Sequence, residues 1–156
     1  MQVYKGLLEP RLLSRFPSGF PEDNGFDGYV SNCVGLEGVL SCAALFSPDF
    51  IEHESSILIG GNIDGGDESK ISTRFGSGKD EIEKYNNLIC LSEFFLHAED
   101  EACDDEELVV SFGRVLIHYW KLRLRDLFPL REFEFLLDND LFDEDGVCIT
   151  FFEVGK

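Results

Sequence analysis

Carboxylates concentrate in two short stretches of the sequence, and these are the residues whose types and spacing could do chemistry. Seven of the nine residues from Glu99 to Glu107 are acidic, and a second group lies further along the chain. Clustered carboxylates can bind a cation, begin a helix or meet a basic protein surface. A partner-binding hypothesis rests on eight of them: Glu99, Asp100, Glu101, Asp138, Asp140, Asp143, Glu144 and Asp145.

The spacing within the second group does not fit a calcium-binding loop. Such a loop needs ligands at positions 1, 3, 5 and 12 and glycine at position 6. Counting from Asp138 places Phe142 at position 5 and Asp143 at position 6. Counting from Asp140 places Phe151 at position 12. We therefore expect this group to turn a hairpin, with contact to a partner as the alternative.

No other motif in the sequence predicts catalysis or a cofactor. The segment "RFGSGKD", 74–80, lacks the first glycine of a phosphate-binding loop and carries an acid where that loop has Ser or Thr. The three histidines are not spaced as metal ligands on one helix. We expect no cofactor and no metal. Two sites assembled in space stay open: a metal site from His53, His97 and nearby acids, or a nucleophilic pair such as Cys33 with His118.

The charge balance limits the kind of partner. The chain has 31 acidic and 13 basic residues, a formal net charge of −18. Phosphate contacts need clustered Lys and Arg, so we expect no nucleic acid as ligand and no anionic membrane surface. A basic protein remains a suitable partner. A length of 156 residues with 44% hydrophobic residues predicts one folded domain, 1–156, rather than an acidic disordered tail.

Cysteine usage and the N-terminal sequence predict a cytoplasmic protein. The five cysteines are odd in number and include no CxxC pair, so we expect reduced thiols packed as small hydrophobic groups. The N-terminal segment "MQVYKGLLEPRLL" is interrupted by charges and lacks a signal-peptide core. No apolar run approaches the length of a membrane span. The oligomeric state has no signal in the sequence.

Hydrophobic periodicity predicts an α+β fold that positions these groups. We expect a small, mainly antiparallel sheet with helices packed on one face, and a long helix followed by a β-hairpin. The glycine-rich segment 60–79 is predicted to be a long mobile loop or a ragged hairpin. The predicted strands are 55–61, 131–137 and 147–154, with 137–146 as the hairpin connection, and the predicted helices are about 36–46, 80–96 and 106–128.

The long helix gives the first acidic group a structural role. Carboxylates at a helix N-terminus face partly positive N–H groups, so Asp104 is predicted as the N-cap and Glu107 as its capping-box partner. This leaves Glu99, Asp100 and Glu101 without a role in the fold. The helix should bury Trp120 and expose Arg114, His118, Lys121 and Arg125. Its apolar face is predicted to include Val109, Phe112, Leu116, Trp120 and Leu127, widened by Leu108, Val115, Tyr119 and Leu122. Candidate core residues are Phe112, Trp120, Phe133, Phe135, Ile149 and Phe151.

About half of the chain resembles a class of small bacterial proteins. The pattern consists of Trp120, a basic "KLRL" stretch, "LFP" at 127–129, "REFEFLL" at 131–137, an acidic turn and "ITFFE" at 149–153. "AALFSPDFIE" at 43–52, followed by "ILI" at 57–59, is similar to an earlier segment of such proteins. They are cytosolic and look like relatives of the immunity proteins of bacterial toxin systems. The resemblance implies a small α+β binding protein and no family site residues.

Three classes of function follow from these observations. The first is a non-enzymatic acidic binding protein of the immunity type, which would cover the basic site of a cognate toxin. The second is a structural or housekeeping protein whose charge serves solubility. The third is an enzyme or metal-binding protein with a site assembled from residues distant in sequence.

Overall fold

A computed structural model describes residues 2, 6–8, 10–13, 29–30, 34–60, 71, 78–97 and 101–155. The chain divides into two compact units, Met1–Leu45 and Phe46–Lys156, and each is described by itself. The prediction of a single domain stays a prediction. The predicted loop at 60–79 lies largely outside the described residues.

The described residues of the first unit include parts of two helices with defined bounds. Helix α1 is a single turn, Pro10–Leu13, and helix α2 spans Leu36–Phe46. The predicted helix at 36–46 is therefore confirmed in its bounds. Pro48 follows two residues after α2 ends, as expected of a residue that cannot donate to the preceding turn.

A two-stranded antiparallel sheet begins the second unit. Strand β1, Phe50–His53, pairs with β2, Ser56–Ile59, through a two-residue turn. Both turn residues, Glu54 and Ser55, have positive φ angles of 47° and 74°, as in the turns that match the twist of a tight hairpin. All four residues of β2 are buried. The predicted strand at 55–61 is thus present, although shorter.

A second, three-stranded sheet has the order β3-β5-β4, where β3 is Ile89–Cys90, β4 is Phe133–Asn139 and β5 is Val147–Glu153. The antiparallel β4–β5 hairpin confirms that prediction and runs in register from Phe133↔Glu153 to Asn139↔Val147. The prediction that β2 joins these strands in one sheet is wrong. Strand β2 pairs with β1, and β3 supplies the third strand.

The predicted helix at 80–96 is interrupted. Helix α3 spans Lys79–Asn86, strand β3 follows at Ile89–Cys90, and one turn of helix, α4, spans Leu91–Phe94. Asn87 ends α3, with its N–H still bonded to the carbonyl of Glu83 at 2.9 Å. The apolar spacing that predicted one helix therefore joined residues of three separate elements.

The side chains of Glu83 and Asn87 explain this interruption. Both are fully buried, and they lie one helical turn apart. The Glu83 carboxylate accepts hydrogen bonds from the N–H groups of Ile57 at 2.7 Å and Glu153 at 2.6 Å. Asn87 accepts from the N–H of Ile59 at 2.9 Å, and donates to the carbonyls of Ile57 and Phe151 at 2.8 and 3.1 Å. The two side chains thus occupy edges of β2 and β5 that no strand of the described residues covers.

Helix α5, Glu106–Leu127, is the longest element described and ends two residues before Pro129. Its buried stripe is Val109, Gly113, Leu116, Trp120 and Leu124. Arg114, His118, Lys121 and Arg125 are exposed, as predicted. The apolar face is narrower than predicted, because Tyr119, Leu122 and Leu127 are exposed, each by about 40%. A Cβ at Gly113 would lie 2.6 Å from Leu137 Cδ1, so this glycine allows β4 to approach the helix closely.

The core of the second unit centres on the ring of Phe151. That ring contacts Phe50, Trp120, Phe133 and Phe135, with centroid distances of 5.4 to 6.3 Å. Of the predicted core residues, Trp120, Ile149 and Phe151 are buried, whereas Phe112, Phe133 and Phe135 are half-buried.

The α+β class is confirmed, but helices α3 and α5 do not share one face of the sheet. Thr150 Oγ donates to the carbonyl of Lys84 at 2.7 Å, and Lys84 Nζ lies 4.2 Å from the Phe152 ring centroid. Phe151, between these two residues, contacts Trp120 of α5. Since side chains alternate along a strand, the two helices contact β5 from opposite faces.

Replacement of Trp120 by alanine tests the packing of α5. Trp120 is 2% exposed, so Trp120→Ala should lower the free energy of unfolding by about 3–5 kcal/mol. Urea denaturation followed by circular dichroism measures this change, and Arg114→Ala on the exposed face should change it by no more than about 0.5 kcal/mol. Native tryptophan emission typical of exposed indole would contradict the placement.

Replacement of Glu83 by glutamine tests the bridge between the two sheets. A glutamine offers one acceptor and turns an amide N–H₂ toward a backbone N–H, so Glu83→Gln should destabilise the chain by about 1–3 kcal/mol. Glu81→Gln is the matched control, since Glu81 accepts from the N–H of Gly78 at 3.3 Å and glutamine can do the same. Equal stability of the two variants would contradict the bridge.

The same residue predicts a pH dependence. Burial raises the pKa of the Glu83 carboxyl above its ordinary value of 4.5, against the two backbone donors and Lys79, which lower it. The folded chain therefore binds this proton more tightly than the unfolded chain does. The Glu83 contribution to the free energy of unfolding should decline as the pH rises from about 4.5 through the folded-state pKa. Parallel pH profiles for the parent chain and Glu83→Gln would contradict this.

Candidate functional site

The first acidic group caps helix α5, but through a different residue from the one predicted. Asp105 is the N-cap, and its carboxylate accepts from the N–H groups of Glu107 at 3.1 Å and Leu108 at 3.3 Å. The prediction of Asp104 was wrong because Asp104 ends a turn of 3-10 helix, Glu101–Asp104. Glu107 consequently stands at the second helical position rather than the third, and the predicted capping box does not form.

Three predicted partner-binding residues remain untested. Glu99 and Asp100 lie outside the described residues, and so does the side chain of Glu101. The partner-facing role of these three residues therefore stays a prediction.

The second acidic group lies on the β4–β5 hairpin, and Asp138, Asp140, Asp143, Glu144 and Asp145 are all exposed. Asp138 was predicted in the connection but lies in β4, opposite Cys148 of β5. Two of the five carboxylates bond to nearby backbone. Asp140 accepts from the N–H of Gly146 at 3.1 Å, and Asp138 accepts from the N–H of Asn139 at 2.8 Å.

The turn itself needs unusual backbone angles. Asp140, Phe142 and Asp143 have φ between 57° and 67°, and Gly146 has φ of 88°. Asp tolerates the left-handed region better than most residues. A Cβ at Gly146 would lie 2.8 Å from Ser92 Oγ, so glycine is needed there for both conformation and space. The expectation that this group turns the hairpin is confirmed for the residues from Asp140 onward.

The fold brings Asp104 and Glu106 of the first acidic group to the same end of the second unit as the second acidic group. Strand β4 runs back along α5, as the contacts of Gly113 with Leu137 and of Lys121 with Phe135 indicate. At the end of this pairing Asn139 Nδ2 donates to Glu106 Oε1 at 3.1 Å. We call the exposed carboxylates gathered there the acidic end: Asp104, Glu106, Asp138, Asp140, Asp143, Glu144 and Asp145.

Four basic side chains of the second unit form ion pairs with carboxylates that lie outside the acidic end. Lys79 pairs with Glu153, Lys84 with Asp80 at 3.1 Å, Arg123 with Asp126 at 3.8 Å, and Arg131 with both Glu52 and Glu153. Within the described part of the chain, none of the seven carboxylates of the acidic end takes part in an ion pair. The negative charge at this end is therefore not neutralised by a described Lys or Arg.

The metal site and the nucleophilic Cys–His pair that the sequence left open gain little geometric support from the described residues. In the ranges that the structure describes, no group of three His, Cys, Asp or Glu could hold a metal ion. His118 is exposed, with its ring edge-on to Tyr119 at 5.3 Å, and Cys33 lies outside the described residues. Cys148 faces Cys90 across β3 and β5. Burial, and then the neighbouring Cys90 thiol, raise the pKa of Cys148 to about 12, so this thiol is a poor nucleophile at neutral pH.

Sequence reasoning missed the contact that joins the two acidic groups. Asn139 and Glu106 are 33 residues apart, and an exposed asparagine at the end of a strand carries no signal of a distant partner. The sequence did contain one indication that the two acidic groups lie close together. A long helix followed by an antiparallel strand places the end of the strand beside the start of the helix.

Comparison with known proteins gives no match: no family model, no curated protein and no solved structure is similar to this chain. None of the described helices is both long enough and apolar enough to cross a membrane.

Replacement of Asp105 and Asp104 in turn tests the cap. Asp105→Ala removes the acceptor of two N–H groups and should lower the free energy of unfolding by about 0.5–2 kcal/mol. Asp104→Ala removes the same charge one residue earlier and should cost less than about 0.5 kcal/mol. Chemical denaturation of both variants measures the difference, and a larger loss for Asp104→Ala would restore the original assignment.

Proposed function

We propose that this chain is a non-enzymatic binding protein that uses its acidic end to dock a basic partner protein. The kind of partner that suits it best is a cognate toxin whose basic site the acidic end would cover, as in the immunity proteins that the C-terminal sequence resembles. A cytoplasmic location is part of the proposal.

One observation carries the proposal: the fold brings the start of α5, with Glu106, beside the second acidic group, and the Asn139–Glu106 hydrogen bond joins them. Like charges held together repel, and a net charge far from zero destabilises the compact state. Among the described residues, the carboxylates of Asp143, Glu144 and Asp145 form no hydrogen bond or ion pair that would offset this repulsion. A basic partner supplies the missing counter-charge.

Electrostatics would act mainly on the rate of association. A field of one sign steers an oppositely charged partner toward the surface, and salt screens this effect beyond a Debye length of about 8 Å at physiological ionic strength. In the alternative function, a housekeeping protein, the negative charge serves only solubility. Solubility depends on the amount of charge and not on the position of each carboxylate. The two proposals therefore differ in whether the position of a carboxylate matters.

Neutralising three carboxylates at either end of the second unit distinguishes the docking function from the solubility alternative. The test variant is Asp143→Asn, Glu144→Gln and Asp145→Asn, three exposed residues of the hairpin turn. The control variant is Asp126→Asn, Glu132→Gln and Glu134→Gln, which removes equal charge near the last turn of α5 and the start of β4. The length of α5, 22 residues or about 33 Å at about 1.5 Å per residue, exceeds the Debye length several-fold.

The measurement is the association rate with a basic protein captured from the source organism at low ionic strength and released by salt. The test variant should associate about tenfold more slowly at low salt. The deficit should shrink as salt is raised, with the melting temperature unchanged. The control variant should associate at the parent rate. Equal rates for the two variants would contradict docking at the acidic end and favour charge for solubility.

A further inference from the structure

An open apolar cavity lies beside the start of helix α5. Its volume is about 210 Å³, and it is lined by Phe95, Ala102, Cys103, Leu108, Val109 and Phe112. Sites for cofactors and drug-sized ligands usually measure roughly 300–1,000 Å³. This cavity is smaller, and its size suits a single large side chain.

Aromatic rings form one wall of the cavity. The rings of Phe95 and Phe112 meet edge to face at 5.3 Å, and Phe94 lies 5.0 Å from Phe95 and 6.3 Å from Phe112. Phe94 is 48% exposed and Leu96, two residues further along the chain, is 72% exposed. The exposed ring of Phe94, packed against the two rings that line the cavity, adds apolar surface that another molecule could cover. Rings packed against one another lose little conformational freedom when a ligand arrives.

Carboxylates flank the apolar lining along the chain. Ala102 and Cys103 are followed directly by Asp104 and Asp105, and Leu108 follows Glu106 and Glu107. The exposed carboxylates among these belong to the acidic end, so the apolar cavity and the negative surface are adjacent. A lipid tail or a nucleobase would bring phosphate toward this charge and be repelled. An apolar side chain between Lys or Arg residues satisfies both features.

We propose that the cavity receives one large apolar side chain from a basic segment of the partner protein. This inference rests on the proposed function and extends it: the carboxylates would speed the encounter, and the cavity would hold the complex once formed. Interfaces commonly combine a buried aromatic or aliphatic anchor with a polar rim in this way. The partner is thereby specified as a basic segment with an apolar anchor, rather than as any positively charged surface.

Two synthetic peptides test this directly. Both are lysine-rich and identical except at a central position, which is tryptophan in one and alanine in the other. Titration calorimetry against the full chain at low salt should show tighter binding of the tryptophan peptide by about tenfold or more, equivalent to about 1.4 kcal/mol. Both affinities should fall as salt is raised.

A filled cavity should abolish the preference. Ala102 is exposed and lines the cavity, so Ala102→Trp should equalise the two affinities while leaving that of the alanine peptide unchanged. Leu130→Trp is the matched control, because Leu130 is 88% exposed and follows the far end of α5. That variant should keep the full difference between the peptides.

Cys103 gives a readout that needs no variant. Its side chain lines the cavity, so the tryptophan peptide should slow its alkylation, followed by mass spectrometry, more than the alanine peptide does. Cys42 in α2 serves as the internal reference. Equal affinities of the two peptides, or equal alkylation of Cys103 with either peptide, would overturn the cavity proposal. If binding of both peptides still weakened as salt was raised, the proposed function would stand. Failure of both peptides to bind at low salt would overturn both.

Discussion

The side chains of Glu83 and Asn87 hold together two sheet edges that no described strand covers. Buried backbone N–H and C=O groups must be paired, since each one left without a partner costs about 1–3 kcal/mol. Within the part of the chain that the structure describes, β3 is only two residues long and pairs with part of β5, while β2 pairs with β1 alone. Four hydrogen bonds to backbone groups of Ile57, Ile59 and Phe151 and one to Glu153 complete these edges. A buried carboxylate is unfavourable by itself, and here the two backbone donors and Lys79 offset part of its desolvation, although burial still raises its pKa.

This bridge fixes the frame on which the acidic end is built. It positions β5, whose Phe151 ring packs against Trp120 of α5 and against Phe133 and Phe135 of β4. Helix α5 and strand β4 then run antiparallel, held close by Gly113, which admits Leu137 where any larger residue would collide. The first turn of the helix and the turn after the strand consequently lie at the same end. The meeting of the two acidic groups follows from core packing rather than from any attraction between them, which their charge forbids.

The secondary structure was predicted best where a long hydrophobic pattern ended at a clear boundary residue. Helix α5 and the β4–β5 hairpin were found because apolar residues recur over many positions and Pro129 and Gly146 mark the boundaries. The prediction failed at Asn87, where polar residues within a helical pattern end the helix by bonding to strands 28 to 64 residues away. Such partners are not encoded in local spacing. The cap was misplaced by one residue because Asp104 and Asp105 are chemically equivalent acceptors, and only the preceding 3-10 turn decides which of them adopts the extended conformation. The apolar cavity was missed for a similar reason: its lining comes from three elements, none of which is unusual alone.

The carboxylates in and beside the acidic end are of two kinds. Asp105, which lies beside it, caps α5, and Asp140 closes the hairpin turn on Gly146, so the fold itself accounts for these two. Asp143, Glu144 and Asp145 make no such contact through their carboxylates among the described residues, and they follow one another in a turn where polar uncharged residues would serve equally. Each additional negative charge here raises the repulsion that the folded state must overcome. The stability of the fold does not favour these charges, whereas the proposed encounter with a basic surface would use them. The neighbouring apolar cavity supports the proposed docking. The carboxylates would steer a basic partner toward this end of the unit, and the cavity would then bind its apolar side chain.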